Sequence, residues 1–216
     1  MIIYMSNIIC VTNQNLCDED FLTRMEKIIK AHPAGIILRE KQLSIETYTR
    51  LAQQVLALCK MHDVPCILHS HITVAKALNC KAIHLPMPIL RTLTKEVRTS
   101  FTILGASCHS IEEAKEAEAL QCTYIIVGHI YETNCKAGIP PRGLDFLKEI
   151  CHNVSIPVWA IGGISPNNMS EIYGVGAKGG CVMGHIMQCE NPHTYLQAFK
   201  ESIENKKFHK LQTYQK

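Results

Sequence analysis

The 216-residue chain contains no Cys-x-x-Cys pair, although it has 11 cysteines spread from Cys10 to Cys189. That spacing removes the redox-motif and zinc-ribbon readings, and with Cys10, Cys66 and Cys181 inside apolar runs the thiols read as reduced, small, buried hydrophobes. No stretch of about eighteen consecutive apolar residues is present. The first residues also lack a basic segment leading into an apolar run and a small-residue cleavage site. A cytoplasmic protein with no membrane partner is the expectation. Neither sign of charge is in large excess, the formal net charge being +3. The densest basic patch, Lys206, Lys207, His209, Lys210 and Lys216, reads as a solvated tail and not as a nucleic-acid arm, because no recognised binding module accompanies it. Linkers and low-complexity blocks are missing too, so a content of 47% hydrophobic and 19% charged residues points to one domain with a full core.

What the chain does have is a recurrence. Short apolar runs occur at residues 8–12, 35–39, 65–68, 82–85, 102–107, 124–127, 158–161 and 179–183. Each is apolar throughout instead of alternating, the pattern of parallel strands covered by helices. Helix signals fall between them: Ser110-Ile111-Glu112-Glu113 reads as a capping box, and Ser165-Pro166 as an N-cap with proline at the first helical position. Strand-then-helix units in this number predict an α/β fold, a single-domain (β/α)8 TIM barrel over residues 1–205 with a polar tail at 206–216. A doubly wound open sheet is the alternative.

In a parallel barrel the C-terminal strand ends form the ligand mouth, which singles out the residues just past each run. Gly128-His129 follows the sixth, placing an imidazole that exchanges protons near neutrality where a ligand would sit. Gly162-Gly163 and Gly184 follow the last two, where backbone N–H groups can approach a phosphate; the plainer reading is tight turns. Arg39 and Lys41 follow the second, suited either to a ligand's anionic group or to a structural salt bridge with Glu40, and Lys136 carries the same two readings. Ser107 and Cys108 end the fifth strand as pocket candidates. A nucleophilic Cys108 beside His109 is weak because strand neighbours face opposite ways. His69, His71 and His84 offer imidazoles on the third and fourth units, but no Asp, Glu or Cys at useful spacing completes a metal set, so they read as pocket lining or core and no metal is expected.

Leu38-Arg39-Glu40-Lys41, Gly105-Ala106-Ser107-Cys108-His109-Ser110 with Glu112-Glu113-Ala114, Ala160-Ile161-Gly162-Gly163-Ile164 and Val182-Met183-Gly184 together resemble the thiamine phosphate synthase superfamily over nearly the whole chain. Two activities share that barrel. The synthases carry Gly-Pro in the sixth-strand loop, an Asn-Asp pair after the third strand and Gly-Gln-x-Asp after the fourth, the acids holding the magnesium of a pyrophosphate substrate. Here Gly128-His129, His69-Ser70 and Leu85-Pro86-Met87-Pro88 stand in those places, without a carboxylate. The run from Gly128 to Gly138, with His129 and Glu132-Thr133-Asn134-Cys135-Lys136, is instead similar to the loop of TenI-type thiazole tautomerases. That resemblance implies a cofactor-free isomerase acting on a phosphorylated carboxythiazole. It implies His129 as the acid/base, backbone groups of Gly162, Gly163, Met183 and Gly184 on the phosphate, and Arg39 or Lys136 near the carboxylate. The alternatives are a thiamine phosphate synthase joining a thiazole phosphate to a pyrimidine pyrophosphate, or a non-catalytic ligand-binding regulator. Whether the chain forms a homo-oligomer is left open.

Overall fold

The computed structural model describes the backbone of residues 7–213 and the side chains of residues 7–202. Eight strands lie within two residues of the apolar runs at each boundary: β1 (Ile8–Val11), β2 (Gly35–Leu38), β3 (Cys66–His69), β4 (Ala82–Pro86), β5 (Ile103–Cys108), β6 (Tyr124–Gly128), β7 (Val158–Ile161) and β8 (Gly179–Val182). Neighbours pair in parallel in chain order, and β1 pairs with β8, with Ile9 opposite Gly35 on one side and Cys181 on the other. The sheet is thus a closed barrel, which decides against the open doubly wound alternative.

Helices α1 (Phe21–Lys30), α2 (Ile45–Met61), α3 (Ile72–Ala77), α4 (Met87–Arg91), α5 (Lys95–Thr99), α6 (Ile111–Ala119), α7 (Gly143–Asn153), α8 (Met169–Gly174), α9 (Gly184–Gln188) and α10 (Pro192–Thr213) alternate with the strands. No described helix is long and apolar enough to cross a membrane. The backbone of α10 runs through residues 206–213 of the segment read as a polar tail, and residues 214–216 lie outside the described residues.

The apolar strands are sorted by the two-residue period of the pleat. Ile9, Val11, Ile37, Ile67, Tyr124, Ile126, Trp159 and Cys181 pack together inside the barrel. Their neighbours Ile8, Cys10, Ile36, Leu38 and Leu68 join the shell between sheet and helices. Both faces are buried, which is why the runs carry no polar alternation. Two strand glycines make room for the large interior rings: a Cβ on Gly105 would overlap the Tyr124 ring, and one on Gly179 the Trp159 ring.

Helix starts follow the local chemistry with two adjustments. Ser110 accepts the Glu113 N–H at 3.1 Å as expected, but the Glu113 carboxylate reaches the His109 N–H at 2.7 Å instead of that of the cap residue, so the box closes one residue earlier. The expectation for Ser165-Pro166 is corrected. Residues 165–168 form a turn in which Asn168 Oδ1 accepts the Ser165 N–H at 3.0 Å, and α8 begins only at Met169. The asparagine side chain bonds back to the turn and to the Gly163 carbonyl, and makes no side-chain cap bond to α8.

Candidate active site

The C-terminal strand ends surround a cavity of about 800 Å³ to which all eight strands contribute lining residues. A second, smaller space of about 420 Å³ lies at the opposite end, around Asn7, Cys151, Tyr173 and Lys178. The mouth cavity brings together Arg39, Ser107, Gly128, His129, Lys136, Gly162, Gly163, Met183 and Gly184, whereas Lys41 and Cys108 are not among its lining residues. His69, His84 and His109 line it as well, and none of its lining residues is Asp or Glu.

Arg39 does not pair with its neighbour. Glu40, 1% exposed, turns toward β1. There its Oε1 accepts the Thr12 hydroxyl at 2.5 Å, and its Oε2 accepts the Gln14 N–H and the Gln42 amide, each at 2.9 Å. Thr12 Oγ1 in turn accepts the Arg39 N–H at 3.0 Å, so the buried carboxylate anchors the backbone at the base of the arginine. The salt-bridge reading for Arg39 is thereby removed. Among the described residues Arg39, Lys41 and Lys136 have no carboxylate within ion-pair distance. Their proximity registers on Lys41, whose ammonium is held below its ordinary range by burial first and then by the positive charges of Arg39 and Lys136. Three like charges collected without a carboxylate partner raise the local positive potential.

The floor beside this patch is a chain of neutral polar groups. His84 is 2% exposed and lies between the Tyr124 hydroxyl, 3.0 Å from Nδ1, and Ser107 Oγ, 2.8 Å from Nε2. Burial pushes the His84 imidazole down to about 3. His69, its ring 5.9 Å from that of His84, is pushed down to about 2 by burial and then by the charges of His84, Arg39 and Lys41. His71 does not share the face of His69. Ser70 takes a positive φ of 66°, the strand ends there, and His71 packs its ring 4.2 Å from that of Tyr48. The Cys108 thiol is pushed up to about 12 by burial, and its Sγ contacts the Glu113 carbonyl at 3.6 Å, so it is no thiolate nucleophile.

His129, 9% exposed, places Nε2 3.1 Å from the Ile139 carbonyl oxygen. A carbonyl only accepts, so Nε2 carries the proton and Nδ1 is the lone-pair nitrogen of the ring. Its own carbonyl accepts the Arg142 N–H at 2.9 Å, so the loop carrying Lys136 is tied to this histidine at its far end. On the β7 side Gly162 and Gly163 have φ of 95° and 65°, values that only glycine adopts readily. Among the described residues the N–H groups of Gly163 and Ile164 have no acceptor. Gly184 and His185, in the first turn of α9 where backbone N–H groups have no intrahelical partner, line the same cavity. The mouth therefore has cations at Arg39 and Lys136, with Lys41 beside them, and backbone segments at Gly162, Gly163 and Gly184.

Sequence reasoning placed His69 and His84 in the pocket or core but missed Tyr124 and the anchoring role of Glu40. The signal for Tyr124 was a bulky phenol in a strand facing a glycine in its neighbour. For Glu40 it was a carboxylate immediately past a buried strand.

The family profile described as thiamine monophosphate synthase matches residues 8–186. A protein of Streptococcus pneumoniae serotype 4 named thiamine-phosphate synthase 2 is 31% identical over 190 residues, spanning 87% of this chain and 90% of its own length. The thiamine-phosphate synthase of Methanobrevibacter smithii is 34% identical over 187 residues, spanning 84% and 88%. Among solved structures, the thiamine phosphate pyrophosphorylase of Pyrococcus furiosus superposes with a TM-score of 0.79 at 23% identity over 94% of this chain and 97% of its own, a likeness of fold. These names correct the expected enzyme class. The similar proteins are synthases, which transfer a group between two substrates, and not isomerases. A profile match over most of the barrel, and relatives above 30% identity along nearly its whole length, establish that this chain belongs to the thiamine monophosphate synthase family.

Proposed function

We propose that the protein is a transferase of the thiamine-phosphate synthase type, joining a thiazole phosphate to a pyrimidine pyrophosphate. The observation that supports this reading is that one cavity lined by no carboxylate holds the cations Arg39 and Lys136, with Lys41 close enough to feel both, and also backbone N–H groups at Gly163 and Ile164 that have no acceptor among the described residues. A single small phosphorylated ligand needs one such group of donors; two phosphorylated substrates need both. A volume of about 800 Å³ is ample for two small heterocycles.

In this reading the amides of Gly163 and Gly184, with the adjoining backbone of Gly162 and Met183, hold the thiazole phosphate, and Arg39, Lys41 and Lys136 hold the pyrophosphate. The thiazole nitrogen lone pair attacks the methylene carbon of the pyrimidine. The C–N bond forms, the C–O bond breaks, and pyrophosphate leaves with the electron pair. Negative charge grows on the departing oxygen, so cations already placed there stabilise the transition state more than the ground state. His129, beside Gly128 at the end of β6, is the acid/base group on this path: its Nδ1 lone pair takes up a proton from solvent, and the imidazolium so formed gives it to the departing oxygens.

The residues do not fit a magnesium site. That cation takes oxygen ligands with carboxylates among them, yet no carboxylate lines the cavity and Glu40 has both oxygens engaged toward β1. No step is therefore routed through a metal. The same lack of carboxylates favours one second reading, a protein that binds the phosphorylated thiazole without turning it over.

The test is to incubate the purified chain with thiazole phosphate and the pyrimidine pyrophosphate in magnesium-containing buffer and to follow the condensed phosphate ester and released pyrophosphate together. Equal amounts of both products are expected. Binding of thiazole phosphate by calorimetry with neither product formed would replace the transferase with the binding protein.

A further inference from the structure

The His84 ring is a switch point between two hydroxyl groups, and only one of its two neutral forms leaves the buried polar groups satisfied. Its Nδ1 meets the Tyr124 hydroxyl at 3.0 Å and its Nε2 meets Ser107 Oγ at 2.8 Å. In one tautomer Tyr124 donates to Nδ1, Nε2–H donates to Ser107, and the serine proton is free to point into the cavity. In the other, every arrow reverses, and the free proton is that of Tyr124. The Tyr124 side chain is buried inside the barrel and its hydroxyl has no second acceptor among the described residues, whereas Ser107 lines the mouth. A donor stranded in an apolar interior is penalised; one at the cavity wall meets water or ligand.

We infer that Tyr124 and His84 are positioning residues which keep the Ser107 proton free for the active-site cavity, so that the serine presents a hydrogen-bond donor to a ligand acceptor at that point. The other groups facing His84 agree. Tyr124 keeps its proton because burial raises it well above the ordinary phenol range. His84 stays neutral, pushed down to about 3 by burial. The neighbouring His69 is neutral as well and lies within the field of Arg39 and Lys41, and Ser107 lines the same cavity as His69 and Arg39. The acceptor it fits there is an anionic oxygen. That identity rests on the transferase reading above; the direction of the hydrogen bonds does not.

The tautomer is readable directly. Long-range ¹⁵N–¹H correlation spectra of the ¹⁵N-labelled chain, with His84 assigned by the resonances lost in His84→Gln, should show a neutral Nε2–H ring that stays so from about pH 8 to about pH 5.5, where an ordinary histidine has titrated. Tyr124→Phe keeps the ring over Gly105 but removes the donor to Nδ1, and should shift His84 toward the Nδ1–H form. Affinity for inorganic pyrophosphate should fall roughly tenfold in Tyr124→Phe and in Ser107→Ala, the size of one hydrogen bond. In the double variant the loss should stay near that of Ser107→Ala alone, because the tyrosine acts only through the serine; a merely structural tyrosine would add its own loss. An Nδ1–H ring in the unaltered protein, or fully additive losses, overturns the inference. Pyrophosphate that binds nowhere in the cavity counts against the transferase reading, and the tautomer spectra then decide this inference alone.

Discussion

Gly162 lies so close to His129 that a Cβ built on the glycine would overlap the Cβ of the histidine. The loop after β7 and the loop after β6 are thus a single packed unit, further joined by the Ile130 N–H on the Ile161 carbonyl at 2.9 Å and the Tyr131 N–H on the Gly162 carbonyl at 3.0 Å. The acid/base candidate and the backbone at Gly162 cannot move independently.

Gly162→Ala should therefore cost about 3 kcal/mol, combining the strain of a side chain at φ 95° with overpacking against His129. Gly138→Ala is the matched control. It has φ of 80° but nothing within 4 Å of the added carbon, so only the conformational part, about 1 kcal/mol, should appear. Urea denaturation of the two variants separates contact from conformation; equal losses would show that the approach to His129 carries no weight.

The three unpaired cations make opposite predictions for stability and binding. Arg39→Gln and Lys136→Gln each relieve repulsion in the free protein, so neither should lower the thermal midpoint. Each should weaken pyrophosphate binding about 10- to 100-fold, as expected for loss of a charge-assisted hydrogen bond. The remaining affinity should depend less steeply on salt, since fewer exposed charges are left to screen. Calorimetric titration at two ionic strengths checks both, and unchanged affinity would remove these cations from the site.

Much of this arrangement was legible before the fold was known, for a physical reason. Strands buried on both faces leave uninterrupted apolar runs, so Tyr124-Ile125-Ile126-Val127 and its counterparts mark their own ends, and the residues just past them fall at the mouth by topology alone. What could not be read were orientations decided by tertiary partners. Glu40 beside Arg39 looks like an ion pair until Thr12 of the adjoining unit claims it. Pro166 looks like the first residue of a helix until Asn168 holds Ser165 and Gly163 in a turn. Tyr124 looks like core until its hydroxyl meets His84. The enzyme class departs from expectation because the loop from Gly128 to Gly138 and the missing carboxylates are local features, whereas the likeness to synthases is spread over the whole chain.

Glu40→Gln tests the anchor under Arg39. Both carboxylate oxygens accept hydrogen bonds, and an amide nitrogen placed at either would face a donor with a donor. A loss of about 2 to 3 kcal/mol is expected by chemical denaturation. Because Thr12 links Glu40 to the Arg39 N–H, pyrophosphate affinity should fall as well, although Glu40 itself faces away from the cavity. A destabilised variant with intact affinity would restrict Glu40 to a role in folding.

The paired imidazoles predict how stability responds to acid. His69 and His84, 7% and 2% exposed, are pushed down to about 2 and about 3 in the folded protein, against an ordinary 6.5. The folded state thus keeps both rings neutral while the unfolded chain takes up protons as the pH falls through its own value. Stability is complete above about pH 7 and declines below it, because the unfolded state binds more protons. Each ring contributes about 2 kcal/mol between about pH 7 and about pH 5, so the pair should cost about 4 kcal/mol over that interval. His71, also lowered by burial, acts in the same direction. Urea midpoints at the two pH values, with the slope of the transition unchanged, measure it. A flat midpoint would mean that water reaches the two rings and that the floor of the site is not the dry, neutral surface that fixes the direction of the Ser107 hydrogen bond.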